Sequence, residues 1–142
     1  QRNKDMQTSK FVLRVEDANG GGPWQGDISE RLMSVPAWDK HGYGTCMNAK
    51  THPLPSVDLS YEDCDTFMGW IARSSGRCAA KDFSNLFHWF DAEGVWEAFA
   101  EVGLYLSVYE CTKYVEGQYQ VCFNVKTAKK ICSVSFQSLI KD

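Results

Sequence analysis

The spacing of apolar positions changes along the chain and predicts one strand, several helices and three further strands. Residues 11–15 contain β-branched residues in partial alternation, which is typical of a strand. Residues 104–109, 118–125 and 131–136 alternate between apolar and polar and predict three more strands. Residues 116–117 and 127–128 lie where tight hairpin turns are expected.

Three segments between these strands have helical spacing. Residues 27–30 fit a capping box that starts a short helix ending at Pro36. Ser60 is a candidate N-cap for a helix over 60–72. Residues 82–102 predict a helix in two pieces that ends at Gly103. The apolar stripes of these helices are Ile28, Leu32 and Val35; Tyr61, Cys64, Phe67, Met68 and Ile71; and Val95, Trp96, Phe99 and Val102.

This order of elements predicts an α+β fold with two layers, a four-stranded antiparallel sheet packed against helices and stabilised by disulfides. At 142 residues the chain is expected to form a single secreted domain over 1–142. We expect residues 1–9 to be flexible. Residues 36–57 contain three prolines and predict a long irregular loop.

The cysteine content predicts an oxidising compartment. The count is even, no Cys-x-x-Cys pair occurs, and we therefore expect three disulfides in a secreted, extracellular protein that starts at Gln1 after removal of a signal segment. A two-residue first turn would place Cys111 opposite Cys122, but the pairing is not determined by the sequence. The six cysteines are Cys46, Cys64, Cys78, Cys111, Cys122 and Cys132.

Charge and apolar content exclude two classes of partner. The formal net charge is −3, so we expect no binding to nucleic acid and no anionic-membrane binding. No apolar run approaches the roughly 20 residues needed to span a bilayer. No Asn-x-Ser/Thr sequence occurs, so N-glycosylation is not expected.

Candidate chemistry is sparse. His41, His52 and His88 are not placed with acidic residues in any pattern that marks a general acid–base pair, and Cys46 lacks the local signature of a thiol protease. The spacing of cysteines and histidines does not fit zinc. The glycines at 20–22 lack the Lys-Ser/Thr of a phosphate-binding loop. We therefore expect no catalytic residue, no cofactor and no metal.

Aromatic residues in predicted loops are the candidate interface. Trp24, Trp38 and Tyr43 fall in irregular segments, where aromatic side chains are more often exposed, and exposed aromatics favour binding surfaces. The sequence thus favours a recognition protein over an enzyme.

The whole-chain pattern of size, even cysteine count and many aromatics resembles the small cysteine-rich effectors secreted by fungal plant pathogens. The order of one strand, helices and three strands is similar to the Leptosphaeria avirulence and suppressing family. The resemblance implies a non-enzymatic virulence protein that acts by protein–protein recognition in the host extracellular space. Its partner would be a host protein, a receptor or target, with recognition by plant immune receptors or masking of that recognition. We expect a monomer.

Two other classes stay open. The segments 117–119 and 130–132 are similar to the last hairpin of the MD-2-related lipid-recognition family, which implies a secreted lipid-binding domain, although no cysteine precedes Cys46. A small secreted hydrolase or ribonuclease would use His41, His52 or His88 with a carboxylate. A lipid binder requires a large apolar cavity, and an enzyme requires a histidine–carboxylate pair in a cleft.

Overall fold

The computed structural model describes residues 8–36, 38, 53–90 and 94–140. Its strands are β1 (Lys10–Glu16), β2 (Gly76–Ala79), β3 (Tyr105–Cys111), β4 (Tyr114–Glu116), β5 (Val121–Asn124) and β6 (Lys129–Ser135). Its helices are α1 (Gly26–Met33), α2 (Pro55–Asp58), α3 (Tyr61–Ala72), α4 (Phe83–Trp89), α5 (Val95–Glu101) and α6 (Phe136–Leu139), with a 3₁₀ turn at Val125–Thr127. The fold is α+β.

The strands form two three-stranded antiparallel sheets. The first has the order β1-β3-β6 and the second the order β2-β5-β4. In the first sheet Leu13 pairs with Val108, and in the second Cys78 pairs with Cys122. In the described chain one isolated β-bridge joins the two sheets, where Leu13 and Ala80 exchange backbone hydrogen bonds of 3.0 and 2.8 Å. This bridge joins β1 to the end of β2.

The main core lies between the first sheet and helices α1, α4, α5 and α6. Its centre is aromatic: the Phe99 ring lies 5.6 Å from that of Trp38 and 5.1 Å from that of Phe136. A second cluster, which includes Val12, Tyr109 and Phe123, lies between the two sheets, and a third, smaller one holds β5 against α3 through Cys122 and Phe67. Fully buried aromatic rings of this kind contribute most of the apolar area in a small core.

The predicted helices are present, with differences at their ends. Ser60 caps α3 by accepting the N–H of Asp63 at 3.2 Å, as predicted. The capping box at 27–30 is wrong, because the N-cap of α1 is Gln25, two residues before Asp27, and its side chain makes no capping hydrogen bond. The predicted inward stripe of α3 is wrong for most of its members, since Phe67 is buried but Tyr61 is 89% exposed. Met68 and Ile71 are exposed as well.

The predicted single four-stranded sheet is wrong. Two short strands, β2 and β4, were not predicted, and they recruit β5 into a separate sheet. β5 and β6 do not form the expected hairpin, because the 3₁₀ turn after Asn124 directs the chain to the other sheet. β2 spans only four residues and begins with glycine, so it has no readable alternation.

The predicted disulfide stabilisation is also wrong for the described cysteines. Cys64, Cys78, Cys111, Cys122 and Cys132 are all free thiols, and Cys46 lies outside the described residues. Cys111 pairs with Lys10 across the sheet, not with Cys122, and its thiol donates to the Lys10 carbonyl at 3.4 Å. Packing, not cross-linking, therefore accounts for the stability of this part of the chain.

Replacing Phe99 with alanine should destabilise the protein by about 3–5 kcal/mol, because the ring is fully buried among other aromatic rings. Phe83→Ala is the matched control, since Phe83 is 53% exposed, and it should cost less than about 1 kcal/mol. Urea denaturation measures both. Equal costs would show that the core is not centred on Phe99.

Candidate functional site

The site is built around Arg14, a charged residue in the middle of β1. Its guanidinium is enclosed, with 11% of the side chain exposed. Nη1 donates to the carbonyl of Cys78 at 2.8 Å, Nη2 donates to the carbonyl of Gly20 at 2.9 Å, and Nε donates to Glu16 at 3.1 Å. One side chain thus joins β1, β2 and the loop that follows β1.

Glu16 is the carboxylate that compensates this buried charge. It is 1% exposed and accepts hydrogen bonds from the Tyr109 hydroxyl at 2.8 and 3.0 Å. Nζ of Lys130, on β6, lies 3.0 Å from Oε2 of Glu16, the carboxylate oxygen that does not accept from Arg14. Every strand of the first sheet contributes to this group, here called the charge cluster, which consists of Arg14, Glu16, Tyr109 and Lys130. The charge cluster therefore links the three strands through their side chains.

Opposing effects determine the ionisation of the charge cluster. Burial raises the pKa of Glu16, but hydrogen bonds from Lys130 and Tyr109 and the charge of Arg14 outweigh it, so the pKa of Glu16 lies below its ordinary value. Burial and the Glu16 carboxylate raise the pKa of Tyr109. Glu16 is therefore ionised and Tyr109 neutral at neutral pH.

The glycine loop after β1 packs directly onto Arg14. Gly20 has a φ of +88°, which favours glycine. A Cβ at Gly22 would lie 3.3 Å from Nη2 of Arg14, so a side chain there would press on the guanidinium. Asp17 fixes the loop by accepting the N–H groups of Asn19 and Gly21, both at 2.9 Å. The loop, which connects β1 to α1, thus holds the guanidinium of Arg14 in place.

A cavity of about 460 Å³ lies beside this loop, between α3, β2 and α4. This volume is within the range of about 300–1,000 Å³ typical of small-molecule sites. Its polar lining includes Arg14, Arg77 and Cys78, and none of the described residues that line it carries a carboxylate. Its apolar lining is Val15, Pro23, Trp24, Phe67, Ile71, Trp89 and Phe90. The cavity therefore combines a broad apolar wall with positive charge.

Arg77 lies at the boundary of this cavity and a smaller one. The second cavity, of about 230 Å³, is lined by the glycine loop and by Asp17 and Asp27. Arg77 and Gln25 line both. Nη1 of Arg77 donates to the carbonyl of Gly76 at 2.8 Å, which holds the partly exposed side chain at the mouth.

The predicted interface aromatics occupy different environments. Trp38 is fully buried in the main core, so the expectation that its ring is exposed is wrong. Trp24 is half-buried, packs 5.4 Å from Trp38 and lines the cavity. Tyr43 lies outside the described residues. A partner-binding role for Trp24 and Tyr43 stays a prediction.

The candidate catalytic residues do not form a site in the described part of the chain. His88 is exposed on α4, whereas His41, His52 and Cys46 lie outside the described residues. In the described ranges no group of three or more His, Cys, Asp or Glu residues could hold a metal ion. None of the helices placed by the structure is long and apolar enough to cross a bilayer.

Arg14 and Glu16 were missed by the sequence analysis, although a signal was present. Arg14 lies in the segment 11–15 that was predicted as a strand, and Glu16 follows directly after it. Charges of opposite sign two positions apart lie on the same face of a strand, which allows them to pair. Arg77 and Cys78 carried no such signal, because β2 itself was not predicted.

Lowering the pH should remove the stabilisation that ionised Glu16 provides. Because its folded-state pKa lies below the unfolded value of about 4.3, this contribution is fully present above that value and is lost as the pH falls towards the folded pKa. Thermal melting between neutral pH and the acid range measures the loss.

Glu16→Gln is the matched variant for this measurement. It should cost about 3 kcal/mol at neutral pH, because it leaves Arg14 without its carboxylate, and it should reduce the slope of stability with pH in the acid range. An unchanged slope would show that other carboxylates govern the acid response.

Comparison with known proteins gives one family. A model described as Bacteriophage T4 Y00F protein matches residues 6–137, and no curated protein and no solved structure matches the chain. A phage family covering nearly the whole chain overturns the resemblance to fungal avirulence effectors, and with it the predicted effector function in plant tissue. The match lends no support to the lipid-recognition or hydrolase alternatives. The chain belongs to the bacteriophage T4 Y00F protein family.

Proposed function

We propose that the protein binds a small anionic molecule with a flat apolar body in the cavity beside Arg14. The observation that carries the proposal is the lining of the 460 Å³ cavity, which pairs an aromatic wall with two guanidinium groups and, in the part of the chain that the structure describes, has no carboxylate. Pockets of this size with few, well-placed polar groups are the usual form of small-molecule sites.

The two arginines have different roles in this proposal. Arg14 is paired with Glu16 and makes hydrogen bonds to two carbonyls, so it is a fixed part of the cavity wall whose donors are already occupied. Arg77 is partly exposed at the mouth, and its planar guanidinium suits a carboxylate, sulfonate or phosphate group. The ligand's charged group therefore lies at Arg77 and its apolar body against Trp24, Phe67 and Trp89.

The rigidity of the wall supports binding in a preformed site. Trp89 donates from Nε1 to the carbonyl of Tyr119 at 3.0 Å, which fixes the ring between α4 and the loop before β5. Phe67 is 3% exposed and packs with Leu59 and Cys122 in the apolar cluster between α3 and β5. A preformed wall lowers the entropic cost of ordering side chains on binding.

The predictions of an extracellular location, of a monomer and of no nucleic-acid or membrane partner stay proposals alongside this one.

The probe for this proposal is 1-anilinonaphthalene-8-sulfonate, which has an aromatic body and one anionic group. We expect saturable binding with a rise in fluorescence, and Arg77→Gln should raise its dissociation constant about tenfold, because a charge-assisted hydrogen bond is lost. Fluorescence titration of the folded protein measures both.

Arg31→Gln is the matched control. Arg31 also donates to a backbone carbonyl, that of Val102 at 2.9 Å, but it does not line the cavity. It should leave probe binding unchanged. The same loss of affinity in both variants, or no loss in Arg77→Gln, would contradict the proposal.

A further inference from the structure

Two thiols face each other across the second sheet. Cys78 of β2 and Cys122 of β5 are directly paired residues, and their Sγ atoms lie 3.7 Å apart. Directly opposite residues of antiparallel strands have Cα atoms about 4.5–5.5 Å apart, within the range that a disulfide spans. The sulfurs can therefore be joined without separating the strands.

The two thiols differ in their access to solvent. Cys78 is partly exposed and lines the cavity, whereas Cys122 is fully buried against Leu59 and Phe67. Since Cys122 is fully buried, Cys78 is the member of the pair that a reagent in the cavity can reach. The Cys122 sulfur is positioned to react only with what is attached to Cys78.

The electrostatic environments of the two thiols also favour Cys78 as the reactive one. The hydrogen bond with Cys122, together with the charge of Arg14, lowers the pKa of Cys78 in spite of its burial. The same hydrogen bond and burial raise the pKa of Cys122. Because the thiolate is the nucleophile, this asymmetry favours Cys78 as the attacking group.

We propose that Cys78 and Cys122 form a thiol–disulfide exchange site, with Cys78 as the attacking thiol and Cys122 as the resolving thiol. The co-substrate is a small organic disulfide, RSSR. The Cys78 thiolate attacks one sulfur of RSSR, a Cys78–SR bond forms, and RS⁻ leaves and takes a proton from water. Cys122 then loses its proton to solvent and its sulfur attacks that of Cys78, expelling the second RS⁻.

The balance of this sequence is one disulfide reduced to two thiols and two cysteines oxidised to one intramolecular disulfide. The first step also prepares the second. A mixed disulfide on Cys78 removes the negative charge that raises the pKa of Cys122, so the resolving thiol ionises more readily after the first exchange.

The other described cysteines are not arranged in this way. Burial raises the pKa of Cys111 to about 11, and its thiol donates a hydrogen bond to the backbone carbonyl of Lys10. Cys132 is exposed on β6, which belongs to the first sheet, whereas Cys78 and Cys122 lie in the second sheet. Cys64 lies in the same cluster as Cys122 and is the thiol that could compete with Cys78 for it.

The test treats the reduced protein with the neutral disulfide of 2-mercaptoethanol, blocks the remaining thiols at acid pH and maps the cysteines by mass spectrometry without reductant. We expect a Cys78–Cys122 cross-link, and reaction at Cys78 at least about tenfold faster than at Cys111. A neutral reagent is used so that the result does not depend on the proposed anion binding.

Two variants separate the roles of the thiols. Cys122→Ser should accumulate the mixed disulfide on Cys78, and Cys132→Ser, the control, should leave the cross-link unchanged. If Cys122→Ser does not fold, the cross-links mapped in the wild-type protein test the proposal without it. A cross-link from Cys122 to Cys64 or Cys46, or no reaction at Cys78, would overturn the proposal.

Discussion

The buried guanidinium of Arg14 is the constraint on which the rest of this structure depends. A charge enclosed to this degree is tolerated only when it is paired and fully hydrogen-bonded. Its partners are Glu16 on its own strand, the Cys78 carbonyl on β2 and the Gly20 carbonyl in the loop. Satisfying Arg14 therefore helps to fix the junction of the two sheets. The sheets also meet at the Leu13–Ala80 bridge, in the contact between the Tyr109 and Phe123 rings at 5.3 Å, and in the Lys10–Glu116 ion pair at 3.5 Å.

The cavity and the thiol pair both follow from this junction. The glycine loop that Arg14 holds forms one wall of the cavity, and β2, held at the Cys78 carbonyl, forms another. The charge of Arg14 also lies close enough to Cys78 to lower the pKa of its thiol. One buried charge thus contributes to the shape of the cavity and to the ionisation of its cysteine.

Helices with a clear cap or stripe could be predicted from the sequence, as with Ser60 at the start of α3 and Phe99 in α5. The sheet arrangement could not, because β2 is four residues long and its pairing with β5 joins positions far apart in the chain. The cysteine count suggested disulfides, but an even number does not distinguish bonded cysteines from free thiols. Arg14 could have been identified only as a charge in a strand, since two of its three partners are backbone carbonyls, of Gly20 and Cys78, which no side-chain pattern marks.

Hydrogen–deuterium exchange of an Arg14→Lys variant tests the role of Arg14 most directly. Lysine keeps the positive charge but cannot make three directed hydrogen bonds to Glu16, Cys78 and Gly20. The account predicts faster exchange at residues 17–22 and 76–80, with the pairing of β3 and β6 unchanged. Unaltered exchange in those two segments, or a uniform increase throughout the chain, would contradict the claim that Arg14 holds the two sheets and the loop together.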